Sequence, residues 1–171
     1  TAADMTTLAD IVKGGLPRLQ GLCLNDNPLI GDEGVQALAA ALGSCALPSL
    51  QELRDLGLSD TGMGDAGASA LAAALSRGAL PSLLGLALCG NKKIGDAGLI
   101  ELAAPLRKRP KLKQLYLHAN EIGDEGMQTL AKVLTTHALP SLKHLHFDCT
   151  SMGDAGASAL AAALSRGALP S

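Results

Sequence analysis

The segment MGDAGASALAAALSRGALPS occurs twice without a difference, at 63–82 and at 152–171. A set of reacting groups gains little from such copying, whereas a structural building block is made for it. The Gly-Asp pair inside the segment keeps a wider beat, opening at Gly31, Gly64, Gly95, Gly123 and Gly153, at intervals of 33, 31, 28 and 30 residues. Leu-Pro follows at Leu16, Leu47, Leu80, Leu139 and Leu169, and the fragment RKRPK at 107–111 keeps the proline but not the leucine. Self-similarity at such a period marks a stacked array of small units.

Each unit has two halves with different periods. The first reads LxxLxL: Leu19–Leu22–Leu24, Leu53–Leu56–Leu58, Leu83–Leu86–Leu88, Leu112–Leu115–Leu117 and Leu142–Leu145–Phe147. Its last two members are two apart, the period of a strand. The second half begins at Gly-Asp and changes to spacings of three and four: Val35–Leu38–Ala39–Leu42, Ala68–Leu71–Ala72–Leu75, Leu99–Leu102–Ala103–Leu106, Met127–Leu130–Ala131–Leu134 and Ala157–Leu160–Ala161–Leu164. That is one apolar stripe on a helix. Asp32, Asp65, Asp96, Asp124 and Asp154 stand at the helix starts, where a carboxylate can accept first-turn N–H groups and complement the dipole. The glycine before each Asp suits a sharp turn, and Gly43, Gly78 and Gly167 mark helix ends. The second strand could instead be framed on Leu50 and Leu53, but that frame turns Asp55 inward. An unpaired buried carboxylate costs several kcal/mol, so the frame starts at Leu53 and 50–52 is an insertion.

No single unit can bury its own stripe, so units must stack. Strands repeat every ~4.8 Å and helices need ~10 Å, so the stack bends with a parallel sheet on its concave side. The expected fold is therefore α/β: a horseshoe arc with strands inside and helices outside.

Composition agrees. Apolar residues make up 47% of the chain but aromatics only 1%, so the core is built of Leu and Ala. A net charge of −2, from 14 basic and 16 acidic residues, is no footprint of nucleic-acid or membrane binding. No apolar run approaches the ~18 residues that span a bilayer, and the first residues lack the apolar stretch of a signal peptide. Cys23, Cys45, Cys89 and Cys149 are far apart with no C-x-x-C pair, which reads as four reduced thiols in a cytoplasmic protein.

Units such as GLCLNDNPLIGDEGVQALAAAL and QLYLHANEIGDEGMQTLAKVL resemble the leucine-rich repeat, in its ribonuclease-inhibitor-like subtype. That subtype occurs in nucleotide-binding immune receptors and in Ran GTPase-activating proteins. The resemblance runs over 16–171 and implies the solenoid already reached from spacing. Chain 1–171 then reads as one domain, with 1–15 as a half-repeat helix and about five repeats from 16 onward, a fragment of a longer array. Asn27, Thr61, Asn91, Asn120 and Thr150 fall where the family carries a polar ladder of Asn or Cys, and the two threonines depart from it. An Asn side chain both donates and accepts, so a column of them ties down loop backbone.

Outward strand positions decide what the concave face offers. The first three strands supply small, acidic or bland residues, with Arg54 as the one arginine. The last two carry Tyr116, His118, His144, His146, Lys113 and Lys143. Aromatic and basic anchors favour protein contacts, so these seven residues are the candidate partner-binding set, against a merely solvated face. His144 and His146 share one face of a strand, and His118 should neighbour Asp148. This raises a metal reading, but histidines are common on exposed strands, and neither a metal nor a cofactor is assigned. Arg107, Lys108, Arg109, Lys111 and Lys113 suggest a phosphate patch; cations at a helix C-terminus explain them better.

Catalytic motifs are missing: there is no G-x-S-x-G, P-loop, H-E-x-x-H or G-x-G-x-x-G. The Gly-Asp segments repeat with the structural period and are helix starts. The Ran-related resemblance raises an arginine that assists phosphoryl transfer, but the surroundings of Arg54 do not match, and no catalytic residue is assigned. The reading is a non-enzymatic protein–protein interaction module or scaffold with a protein partner and neither nucleic acid nor membrane. An enzyme regulator of the GTPase-activating or nuclease-inhibiting kind, or a structural spacer, are the alternatives. Uncapped ends offer surfaces for self-association.

Overall fold

The computed structural model describes residues 3–5, 7, 10, 19–43, 52–134 and 139–167. Strand and helix alternate five times. The strands are β1 (Gly21–Cys23), β2 (Asp55–Gly57), β3 (Gly85–Ala87), β4 (Gln114–Tyr116) and β5 (His144–His146). The helices are α1 (Gly31–Leu42), α2 (Asp65–Ser76), α3 (Asp96–Arg107), α4 (Asp124–Val133) and α5 (Asp154–Ser165). The strands form one open parallel sheet in the order β1-β2-β3-β4-β5. Residues 3–5, 7 and 10 are helical, and Met5 is buried. Leu16, Leu47, Leu169 and Cys45 lie outside the described residues.

The register is unshifted along the sheet: Leu22, Leu56, Leu86, Leu115 and Leu145 stand side by side. Because side chains alternate across a strand, this puts a leucine column on the helix side and its flanking residues on the open side. The frame beginning at Leu53 holds. Leu53, Leu56 and Leu58 are buried, and Asp55 faces outward and is exposed. The stripes of α1 to α4 close over this column, with Leu38, Leu71, Leu102 and Leu130 at most 1% exposed. Burying each such leucine is worth about 2–3 kcal/mol. The stripe of α5 differs: Leu160 is buried, but Ala157, Ala161 and Leu164 are exposed.

The aspartates do not cap their own helices, as the sequence suggests. Asp32, Asp65, Asp96 and Asp124 each serve the next unit. Asp32 Oδ1 accepts the N–H groups of Gly64 and Gly67, both at 2.7 Å. Asp65 accepts from Gly95 and Gly98, Asp96 from Gly123 and Gly126, and Asp124 from Gly153 and Gly156, all at 2.7–2.9 Å. The incoming carboxylate satisfies two of the four orphan donors at a helix start and meets its positive end. Of the glycines that precede these aspartates, one alone makes a left-handed turn. Gly64, Gly95, Gly123 and Gly153 are extended, and only Gly31 has a positive φ, +58°. From the second unit on, the second glycine of the motif is crowded by the same carboxylate: a Cβ on Gly98 would stand 2.7 Å from Asp65 Oδ1, and one on Gly126 2.7 Å from Asp96 Oδ1, whereas Gly34 is crowded by Ile30 and Met5. The pattern G-D-x-G is thus a stacking joint. Helix ends vary: Gly78 takes φ +94° and its N–H reaches Leu75 O, while Gly43 stays right-handed.

Candidate partner-binding site

The open face of the sheet is a grid. One row runs Gly21, Asp55, Gly85, Gln114, His144 and the next Cys23, Gly57, Ala87, Tyr116, His146. Beyond the strands the backbone ladder continues: Leu24 N–H reaches Gly57 O at 2.8 Å, Leu88 N–H reaches Tyr116 O at 2.9 Å, and Leu117 N–H reaches His146 O at 2.7 Å. The chain then turns through one left-handed residue per unit: Asp26, Asp60, Gly90, Ala119 and Cys149, at φ 52–72°. This fixes the residue just before it, so Asn25, Ser59, Cys89, His118 and Asp148 form a third row. Within that row Asn25 Oδ1 accepts from Ser59 N–H at 2.9 Å, and Ser59 Oγ meets Cys89 Sγ at 2.8 Å.

Two regions of the grid differ. Over β1 to β3 the outward residues are so small that the sheet lies bare, leaving an open trough of about 380 Å³. Its floor is Gly21, Gly57, Gly85 and Ala87, Asp55 is its one charge, and Tyr116 and Gln114 close the far end. Residue-by-residue reading passed over this feature because it looks for side chains that do chemistry. The signal was the run of Gly and Ala at outward strand positions.

Over β4 and β5 rings replace the bare floor. Tyr116 packs edge-on to His146 with centroids 5.0 Å apart, and lies 6.4 Å from His118; His118 and His146 are 6.2 Å apart, and His144 is 6.4 Å from His146. The structure therefore brings Tyr116, His118, His144 and His146 together, with Lys113 and Lys143 exposed on the flanking row. Lys113 O accepts the N–H groups of Lys143 and His144. Arg54 immediately precedes β2, two strands from β4, and so stands apart from the rings by roughly 10 Å.

Behind the face runs the polar column. Asn91 Nδ2 donates to Leu58 O at 2.8 Å and Leu88 O at 3.0 Å, and its Oδ1 accepts from Thr61 N–H at 3.0 Å. Asn120 Nδ2 bridges Leu88 O and Leu117 O in the same way, but its buried Oδ1 has no partner. Thr61 and Thr150 are too short to reach back a unit: their hydroxyls bond their own strand ends, Leu58 O and Phe147 O, and Thr61 Oγ1 also lies 3.1 Å from Asn91 Oδ1 of the following unit. Asn27 is exposed and bonds its own turn, at Leu24 O and Asn25 O.

The basic run at 107–113 breaks up on inspection. Arg109 is 8% exposed and takes the place that Leu80 and Leu139 hold in their units. Its Nη2 donates to Leu75 O and to Ala79 O, at 2.8 Å for the latter, closing the end of α2 in the preceding unit. Burial lowers its pKa from the usual arginine value. Arg107, Lys108, Lys111 and Lys113 remain exposed. Among the described residues Cys23, Cys89 and Cys149 are free thiols, and no helix is long and apolar enough to cross a membrane.

A curved stack of strand–helix units with an open parallel sheet and a glycine-jointed outer helix layer defines the class as a repeat solenoid. The leucine-rich repeat model matches residues 19–39, 49–72, 109–131 and 138–161, more than half of the chain, and the chain belongs to that family. Among solved structures the fold is similar to the tropomodulin C-terminal domain of Caenorhabditis elegans (TM-score 0.71, 15% identity, covering 96% of this chain and 93% of that one). It is also similar to leiomodin-1 actin-binding site 2 (TM-score 0.67, 19% identity, covering 93% and 86%). No curated protein sequence matches the chain.

Proposed function

We propose that this chain is a non-enzymatic protein-binding module that holds its partner on the concave sheet. The observation that carries the reading is the grid itself: a bare trough over β1 to β3 that ends against the Tyr116–His146 ring pair. The trough is a recess for side chains, and amphipathic rings with polar tips are favoured anchors of protein contacts. Tyr116, His118, His144 and His146 are the proposed anchors, with Lys113 and Lys143 beside them and Arg54 as a separate contact across the trough. Asn27, Thr61, Asn91, Asn120 and Thr150 hold the loops. A domain of the same fold serves leiomodin-1 as an actin-binding site, which supports a protein as the partner class. The finer assignments belong to this proposal: a ribonuclease-inhibitor-like subtype, a cytoplasmic scaffold, and 1–171 as one domain.

The test is capture from cell lysate by the wild-type chain, by Tyr116→Ala/His146→Ala, and by Gly21→Arg/Ala87→Arg. An added Cβ at Gly21 meets nothing within 4 Å, and matched circular dichroism checks that the double arginine variant folds. A protein held by the wild type and lost by both variants supports the reading. A partner held equally by all three moves the contact to the helices or loops and overturns it.

A further inference from the structure

We propose that His118, His146 and Asp148 form a zinc site at the β4–β5 edge of the concave face. Their ligand atoms all lie within 4.8 Å of one another. Ligands about 2 Å from one ion stand roughly 3–4 Å apart, so side-chain torsions alone close the set. The donor set, two imidazoles and a carboxylate, suits zinc and its transition-metal neighbours rather than calcium or magnesium.

Three further observations point the same way. His118 Nδ1 is buried and has no hydrogen-bond partner, a costly state for a ring nitrogen that nothing satisfies. Among the described residues neither His146 nor Asp148 has a side-chain hydrogen bond, so both are unspent as ligands. The backbone beneath all three is fixed from the neighbouring unit: His118 O accepts from Gly90 N–H at 3.1 Å, His146 O from Leu117 N–H at 2.7 Å, and Asp148 O from Ala119 N–H at 2.9 Å. Ligands on such a ladder are already positioned, and the cost of ordering them on binding is small. His146 and Asp148 are two apart on one chain, and the unshifted register sets His118 beside Asp148. Three protein ligands leave a coordination position open toward the groove. The site does not depend on the partner-binding reading, since the isolated chain carries every ligand.

The test is titration of the metal-free chain with Zn²⁺ by calorimetry, with Co²⁺ as a spectroscopic probe. One equivalent of Zn²⁺ is expected. His118→Gln, His146→Gln and Asp148→Asn should each weaken binding by about tenfold or more, and His144→Gln should change it by no more than about twofold. Co²⁺ should show ligand-field bands without thiolate charge transfer. All four positions are on the open face, and matched circular dichroism confirms that the variants fold. Absence of binding, equal binding by the ligand variants, or a thiolate charge-transfer band that reassigns the ion to a cysteine would each overturn the proposal.

Discussion

The helices of the two copies of MGDAGASALAAALSRGALPS, Asp65–Ser76 and Asp154–Ser165, have the same length and start and live in different surroundings. In both, a twelve-residue helix starts at Asp and follows an extended glycine. Both helices receive a carboxylate from the unit before, Asp32 for α2 and Asp124 for α5. The difference lies on the far side. In the first copy Ala68, Leu71, Ala72, Ala74 and Leu75 are all buried; in the second, of the apolar residues, only Leu160 and Ala163 are. Leu75 is 2% exposed and its counterpart Leu164 45%. Asp65 holds two N–H groups of the next unit, whereas Asp154 holds none among the described residues. Helix formation follows from the shared sequence; burial, and with it stability, follows from the neighbour.

Paired substitutions put this comparison at risk. The largest contrast should come from leucine. Leu75→Ala opens a cavity inside the stack and should cost about 3 kcal/mol, and Leu164→Ala about 1 kcal/mol or less, both read by urea unfolding. Equal costs would mean that the two helices are packed alike. The aspartates come next. Asp65→Ala strands two N–H donors and should cost about 2 kcal/mol, while Asp154→Ala should stay within about 0.5 kcal/mol. Asp124→Ala sharpens the point, because it should loosen α5 although it lies outside that helix. The smallest effect is a gain: Thr150→Asn lengthens the side chain enough to reach Leu117 O and offers an acceptor near Asn120, stabilising by about 1 kcal/mol in thermal unfolding.

The leucine triplets, the helix stripes and the frame at Leu53 were legible because each rests on a period or on the cost of burying Asp55. Register followed from the same spacing. The role of the aspartates was not legible, since an Asp at a helix start reads alike whether it serves its own helix or the next. The second glycine of G-D-x-G was the only hint that something large approaches from outside. Arg109 looked like surface charge, and its depth shows only when it is aligned on Leu80 and Leu139. On the concave face the rings could be named from sequence, but the trough could not, because Gly and Ala announce no chemistry. The closeness of His118, His146 and Asp148 needed the side-chain geometry as well as the register.

The most direct measurement is NMR-detected amide hydrogen exchange, which separates the two identical helices by their assigned resonances. A stability difference of about 3 kcal/mol corresponds to roughly 100-fold in exchange. The amides of 71–76 should be protected at least that much more than those of 160–165. Equal protection in the two copies would show that sequence alone sets their stability and would contradict the account.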